Sequence, residues 1–298
     1  MKKNMAILTG INSKLHGSIG NVTYSRVNGQ TVAKEKVEKK SVPTRTYAQM
    51  VRRVRWANLV NLWQAFEGTL KPSFEGKKQR VSDFNMFIQA NINAAHVSLT
   101  KDVAVRGGCV VEACQVTRGQ LPGIAVEFGS NNVPETDIAL GTLTLGNSTT
   151  LKAFSDAVID NNADWHSGDQ LSFYIARQLM DANTGVPRVA VDAVEVTLDT
   201  SADTTLLKDV VDTSLLAVAD GCLSLSGPVN GGVACVHSRK RNGNTIVSTQ
   251  FFVVNNSYLA NYTTASAMNA AILSYGGVNK DEFLTPNTGD VAADDVNP

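Results

Sequence analysis

The sequence predicts an α+β protein: an N-terminal β-hairpin and a helical hairpin, then a mainly antiparallel, sandwich-like β region. Three observations carry this. Asn28–Gly29 sits between two runs rich in β-branched residues. Two later segments repeat apolar residues at helical spacing. Beyond residue 100 the chain becomes a series of short β-rich runs separated by turn residues. The parts divide as residues 1–100 (a basic hairpin and two-helix domain), 101–280 (a β-rich domain with short helices) and 281–298 (an acidic tail).

The hairpin comes first. Val22–Val27 and Gln30–Lys34 flank Asn28–Gly29, the dipeptide whose two residues both tolerate φ > 0. Gly17 and Gly20 precede it and predict a tight loop. Lys34 to Lys40 is a charged run, and Pro43 ends it.

A helix follows, capped by Thr44 or Thr46, and ends before Pro72. Trp56, Leu59, Trp63, Phe66 and Leu70 form one apolar stripe, expected to face the core. Tyr47, Met50, Val51 and Val54 cluster on the opposite face, in the first half only, where Arg52 and Arg55 occupy the first stripe. Two partners are expected: the helix's own domain, and a hairpin or a neighbouring subunit. Ser82 caps a second helix, expected over residues 82–97, with Phe84, Phe87, Ile88, Asn91 and Ala95 at helical spacing. The two helices are expected to pack as a hairpin.

The β-rich runs are Cys109–Thr117, Gly123–Phe128, Ile138–Leu145, Leu171–Ala176, Val189–Leu198, Leu215–Leu225, Val233–Ser238 and Ile246–Val254. Their spacing is that of a sandwich or barrel. Arg241–Asn244 predicts another hairpin turn. Short helices are expected at residues 150–160 and 263–275. The tail from Asp281 is acidic and poor in apolar groups, a loose arm unless a neighbour orders it.

Composition narrows the function. Of 298 residues, 43% are hydrophobic and 18% charged, as in soluble globular proteins. No apolar run reaches the roughly 18 residues of a membrane helix. Met5–Leu8 is too short for a secretory core of about 7–15 residues. No signal peptide is therefore expected, and disulfides are not expected among Cys109, Cys114, Cys222 and Cys235. The net charge of zero hides an asymmetry: residues 1–80 hold 16 Lys and Arg against 4 acids, and residues 81–298 hold 11 against 23. Such a dipole marks an interaction arm that seeks nucleic acid or an acidic neighbour.

Signs of catalysis are few. None of His16, His96, His166 and His237 lies in a metalloprotease or other ligand pattern, and there is no GxSxG, Walker A or GxGxxG. Asp164–Asp169 carries carboxylate, imidazole and hydroxyl groups and reads as a polar turn. No catalytic residue, metal, cofactor or small-molecule substrate is expected. The candidate contact residues are basic: Arg26, Lys34, Lys36, Lys39, Lys40, Arg45, Arg52, Arg53 and Arg55, with Tyr47 and Met50. Arg239, Lys240 and Arg241 form a second basic knot, expected at a hairpin tip. Such clusters contact phosphates or acidic neighbours, or are simply solvated.

Across residues 15–95 the chain resembles a domain family of unknown function from gut Bacteroidota and their crAss-like phages. The resemblance rests on Gly17, Gly20 and Asn21; on Thr46, Gln49 and Arg52 or Arg53; and on Phe84 and Asn85. Ser238–Lys240 and Val247–Gln250 also look similar. These motifs are structural. The resemblance implies a non-enzymatic virion or structural protein with no catalytic residue. The charge dipole adds the expectation of a homo-oligomeric ring or shell in contact with other virion proteins, and the lack of a signal peptide that of assembly in a bacterial host's cytoplasm. Two further readings stand beside this: a packaged or neck protein touching DNA through residues 34–55, and a glycan-binding surface protein.

Overall fold

A computed structural model describes residues 5–8, 16–27, 30–36, 46–70, 73–78, 80–129 and 131–276. The predicted turn residues Asn28 and Gly29, the candidates Lys39, Lys40 and Arg45, Thr44, Pro43, Pro72, the side chain of Arg26, and the tail lie outside these residues. The chain forms two compact units, residues 1–45 and 46–298. That division differs from the expected one at residue 100, for a reason given by the packing of the second unit.

The first unit is a four-stranded antiparallel sheet of β1 (Met5–Leu8), β2 (Gly17–Ile19), β3 (Val22–Val27) and β4 (Gln30–Glu35), in the order β1-β4-β3-β2. Val27 pairs with Gln30, the last pair of the antiparallel β3–β4 ladder. Ile19 pairs with Val22 across Gly20–Asn21. Gly20 has φ +57 and Asn21 does not share that sign. Positive φ at the first loop residue alone is the type II′ arrangement, which asks for glycine there.

The second unit begins with α1 (Tyr47–Phe66), α2 (Asp83–Asn91) and α3 (Lys101–Val105). Thr46 is the cap of α1. Its hydroxyl accepts from the Gln49 N–H at 3.4 Å, and the Gln49 side chain accepts from the Thr46 N–H at 3.2 Å. This capping box gives a physical reason for the Thr-x-x-Gln spacing. The helix ends at Phe66, short of the expected Pro72, and α2 ends at Asn91 rather than Val97. Asn91 donates to the Phe87 and Gln115 carbonyls and accepts from the Gln115 N–H, which ties the helix end to the sheet region.

The strands are β5 (Gln115–Thr117), β6 (Val126–Phe128), β7 (Pro134–Ala139), β8 (Gln170–Met180), β9 (Pro187–Thr197), β10 (Leu216–Ala219), β11 (Cys222–Leu225), β12 (Gly231–Arg241), β13 (Asn244–Val247), β14 (Gln250–Phe251) and β15 (Val253–Asn255). The helices α4 (Leu151–Asn161), α5 (Leu259–Tyr262) and α6 (Ala265–Ser274) complete the unit. One sheet runs β10-β11-β7-β6. A second runs β13-β12-β8-β9, with β15 also on β12. β14 pairs with β5. All these pairs are antiparallel.

The β8–β12 pair lies between two cores. Leu171, Phe173 and Ile175 of β8, with Val233 and Cys235 of β12, pack against β7, β11 and α4, including Ile138, Leu223 and Phe154. The alternate residues Tyr174, Ala176, Ala234 and Val236 pack against α1 and α2, including Leu59, Phe66 and Phe87. The helical hairpin is thus a third layer on the β region. That layer is why residue 100 is not a boundary: each buried Leu or Phe contributes about 1.5–3 kcal/mol across it.

The helix faces need two corrections. Leu59, Phe66 and Leu70 are buried as expected, but Trp56 is 44% exposed and Trp63 half-buried. Trp56 meets only the edge of Phe84, at 6.4 Å between centroids, while Trp63 stands against Phe84 and Phe87 at 5.5 Å. Position on the stripe favoured burial, but the residues of α1 that enter the core shared with β8 and β12 are Leu59, Leu62 and Phe66. The second face has a partner within its own unit, which the sequence did not suggest: Met50 and Val54 pack on Ala271 and Ile272 of α6.

Candidate functional site

Two charged centres stand out in the second unit, and they use arginine in opposite ways. The first surrounds Asp169, one residue before β8 and 1% exposed. One carboxylate oxygen accepts from Arg239 Nε at 2.7 Å. The other accepts from Arg239 Nη2 at 2.7 Å, from His237 Nε2 at 2.9 Å and from the His166 N–H at 2.9 Å. Arg239 Nη2 also donates to His166 Nδ1 at 2.7 Å and to the Asp164 carbonyl. The His237 ring stacks on Trp165 with centroids 3.8 Å apart, and the His237 backbone N–H donates to Ser248 Oγ.

The local sequence explains the geometry. His237 and Arg239 are two apart on β12 and so share a face. Ser238 pairs with Gln170, which brings both beside Asp169. Burial raises the Asp169 carboxyl, but Arg239, His237 and the His166 N–H together pull it below the ordinary value. Burial pushes the His237 imidazole down against the opposing pull of Asp169. Arg239 is held up by Asp169. An Asp–His pair can serve as a general base. Here the imidazole side chain is 2% exposed and the carboxylate 1%, and the pair clasps the residue 164–169 turn to β12.

Residues 164–169 are the polar turn before β8 that the sequence predicts, but Arg239 is drawn back onto it and so leaves the expected basic knot at the hairpin tip. Lys240 and Arg241 do lie exposed at the tip, where Asn242 and Gly243 have φ +51 and +78, the type I′ pattern.

The second centre is at the head of α1. Arg52 and Arg53 are exposed, Arg55 and Tyr47 half-buried, Met50 buried. Arg52 donates to Asn93 Oδ1 at 3.3 Å. Arg53 lies near Tyr275, whose hydroxyl is raised by burial and partly lowered again by that charge. None of the three arginines forms an ion pair with a described residue. Arg55 Nε is shielded from solvent and has no hydrogen-bond partner.

Two clefts meet at Tyr47 and Arg55. The larger, about 630 Å³, includes His96, Glu112, Thr264 and Met268. The smaller, about 410 Å³, includes Val51, Arg52, Ile92 and Asn93. Glu112 forms part of the wall. It accepts from Asn58 Nδ2 at 2.7 Å and from the His96 and Val97 N–H groups at 2.7 and 3.2 Å. Burial nevertheless pushes its carboxyl up.

In the first unit, Lys34 and Lys36 are exposed. Gly17 opens β2, and Gly20–Asn21 forms the turn after it. Phe84 packs on the two tryptophans, and the Asn85 N–H donates to the Ser82 cap. The site residues missed by sequence reasoning are Asp169, His237, Asn58 and Glu112. A usable signal existed for one pair: His237 and Arg239 follow the apolar run Val233–Val236 on alternate positions, where a buried histidine requires a partner.

All four cysteines are free: Cys109, Cys114 and Cys235 buried, Cys222 half-buried. Burial pushes the Cys109 thiol up to about 12. Among the described residues no helix is long and apolar enough to cross a membrane, and no cluster of three or more His, Cys, Asp or Glu could hold a metal. Comparison with family models, with curated proteins and with solved structures found no match to this chain.

Proposed function

We propose that this chain is a non-enzymatic structural protein of the phage-virion kind, which assembles into a symmetric ring or shell through its basic N-terminal unit. The build of that unit carries the reading. It is a single sheet, and among its described side chains only Thr31 and Val32 are buried. Pairing puts Ile19, Val22, Tyr24 and Ala33 on one face, and Ile19 is 66% exposed. The described part of the unit supplies no helix or second sheet to cover that face. Sheets of this kind gain stability from a covering layer.

Charge supplies the direction. Residues 1–45 hold nine Lys and Arg against two acids, net +7, and residues 46–298 hold 18 against 25, net −7. Opposite charges of equal size on two units favour head-to-tail contacts, and a closing rotation makes such contacts a ring. The virion setting rests on the resemblance of the Gly17–Asn21, Thr46–Arg53 and Phe84–Asn85 motifs. Negative-stain imaging of the purified protein tests the proposal: closed particles support it, and their loss in Lys34→Glu/Lys36→Glu assigns the contact to the arm. Dispersed monomers in the unsubstituted protein would refute it.

A second reading has its own observation, the absence of any acidic partner for Arg52, Arg53 and Arg55 among the described residues. They suit a phosphate backbone, and the affinity would then fall steeply with salt. A gel shift at low salt, abolished by reversing the three charges, supports this reading; no shift at low salt removes it.

A further inference from the structure

We propose that the exposed face of α1 around Trp56 binds a single nucleic-acid strand, with a base stacked on the indole and phosphates on Arg52 and Arg53. The proposal rests on the second reading above, in which the arginines of α1 meet a phosphate backbone, and adds to it the form of the strand.

Two observations lead to it. The first is Trp56 itself, a large flat side chain left 44% exposed. Its contact with Phe84 is perpendicular, at 6.4 Å between centroids and 88° between ring planes. A contact of that kind occupies at most one face of the indole. Trp165 is the opposite case: it is 8% exposed, and His237 lies flat against it. The fold fills a face of one indole and leaves a face of the other free.

The second observation is the charge beside that free face. Arg52 and Arg53 precede Trp56 by four and three residues, which places them one turn away on the same side of the helix. Both are exposed, and neither forms an ion pair with a described residue. No acid lies within α1. The one acid of α2, Asp83, is bound to Lys77 at 2.7 Å. That bond also holds Lys77 and Lys78 close to Phe84, and Lys78 is exposed without an ion pair. Residues 46–80 hold seven Lys and Arg against two acids, whereas residues 81–298 hold 11 against 23. The basic surface is therefore local to the helical hairpin.

Cations alone suit any anion, and the indole narrows the choice. A flat apolar plate among cations matches a chain that alternates planar bases with phosphates. An acidic protein surface would meet the arginines and leave the plate unused. Bases in a duplex already stack on one another and offer no free face, so the strand is single.

Fluorescence anisotropy with a labelled oligothymidylate of about 20 nucleotides, longer than the ~4–16 nucleotides of common single-strand sites, tests this. Binding is expected at low salt, tighter than to a duplex of equal length, with quenching of tryptophan fluorescence. Trp56→Ala should weaken it about tenfold and leave its salt dependence unchanged. Arg52→Ala/Arg53→Ala should instead flatten the slope of log affinity against log salt by about 1.4, two phosphate contacts at ~0.7 each. Trp56→Phe keeps a stacking ring, so it should retain most of the affinity and lose most of the quenching. That variant decides the matter should the alanine variant fold poorly. Binding of an oligouridylate in the same way supports the proposal equally, and the tighter of the two names the strand as DNA or RNA. An affinity unaffected by Trp56→Ala, quenching that survives in Trp56→Phe, or a preference for the duplex would overturn the stacked strand and leave the phosphate reading standing. No binding of strand or duplex at low salt would remove both. Loss of oligomers in Arg52→Glu/Arg53→Glu, in a chain that binds neither, would assign the patch to an acidic neighbour instead.

Discussion

Arg239 and Arg55 belong to the same unit and carry the same charge, yet their surroundings differ completely. Arg239 spends its donors on Asp169, His166 and a carbonyl. Arg55 keeps a shielded Nε without an acceptor, beside a cleft. The first arginine belongs to the fold. The second is a cost to the fold that no described residue offsets. A basic residue in the sequence therefore marks neither a site nor a scaffold until its partners are known.

Substitutions can break or sharpen that contrast. The largest stability loss is expected where the contrast is absent, in the core shared by the sheets: Phe154→Ala should cost about 3–5 kcal/mol in urea unfolding. Arg239→Gln should follow, at about 3 kcal/mol, because it strands a buried carboxylate. A loss near zero there would erase the distinction between the two arginines.

Acid should act on the same centre. His237 and Asp169 both have folded values below their unfolded ones, so the unfolded chain binds more protons as pH falls. Their stabilisation is present above the unfolded values and is lost as pH falls through the folded ones. Thermal midpoints should therefore begin to drop below pH ~6.5, with a further drop below ~3.9. In His237→Gln the first of these two drops should disappear. A midpoint that rises between pH 6.5 and 5 would contradict the assignment.

Thr46→Ala should cost about 1 kcal/mol by removing the α1 cap. Smallest of all, Arg55→Gln should leave unfolding within about 0.5 kcal/mol of the unsubstituted protein, since no described partner is lost. A loss comparable to that of Arg239→Gln would show that Arg55 is structural after all.

Much of this architecture was legible in the sequence. The α+β class, the antiparallel pairing of β3 with β4, the Ser82 cap and the alternation of the later strands all come from local chemistry. The Tyr47–Val54 face was legible as buried, but its partner was not. Periodicity records which side of a helix is apolar and says nothing of what covers it. For the same reason the helical hairpin looked like a separate domain, although it is a layer on β8 and β12. The Asp169 centre was hidden by distance, since Asp169 and His237 are 68 positions apart. Arg239 then read as a neighbour of Lys240 and Arg241, although strand alternation turns it to the opposite face from Lys240. The unpaired state of Arg55 is a property of the folded surroundings that no spacing could reveal.

The central claim is that the net positive charge of the N-terminal unit serves assembly. Native mass spectrometry of the unsubstituted protein at low and high ionic strength tests it most directly. The account predicts a closed oligomer of one defined size that dissociates as salt rises. A monomer at every ionic strength, even at high protein concentration, would contradict it.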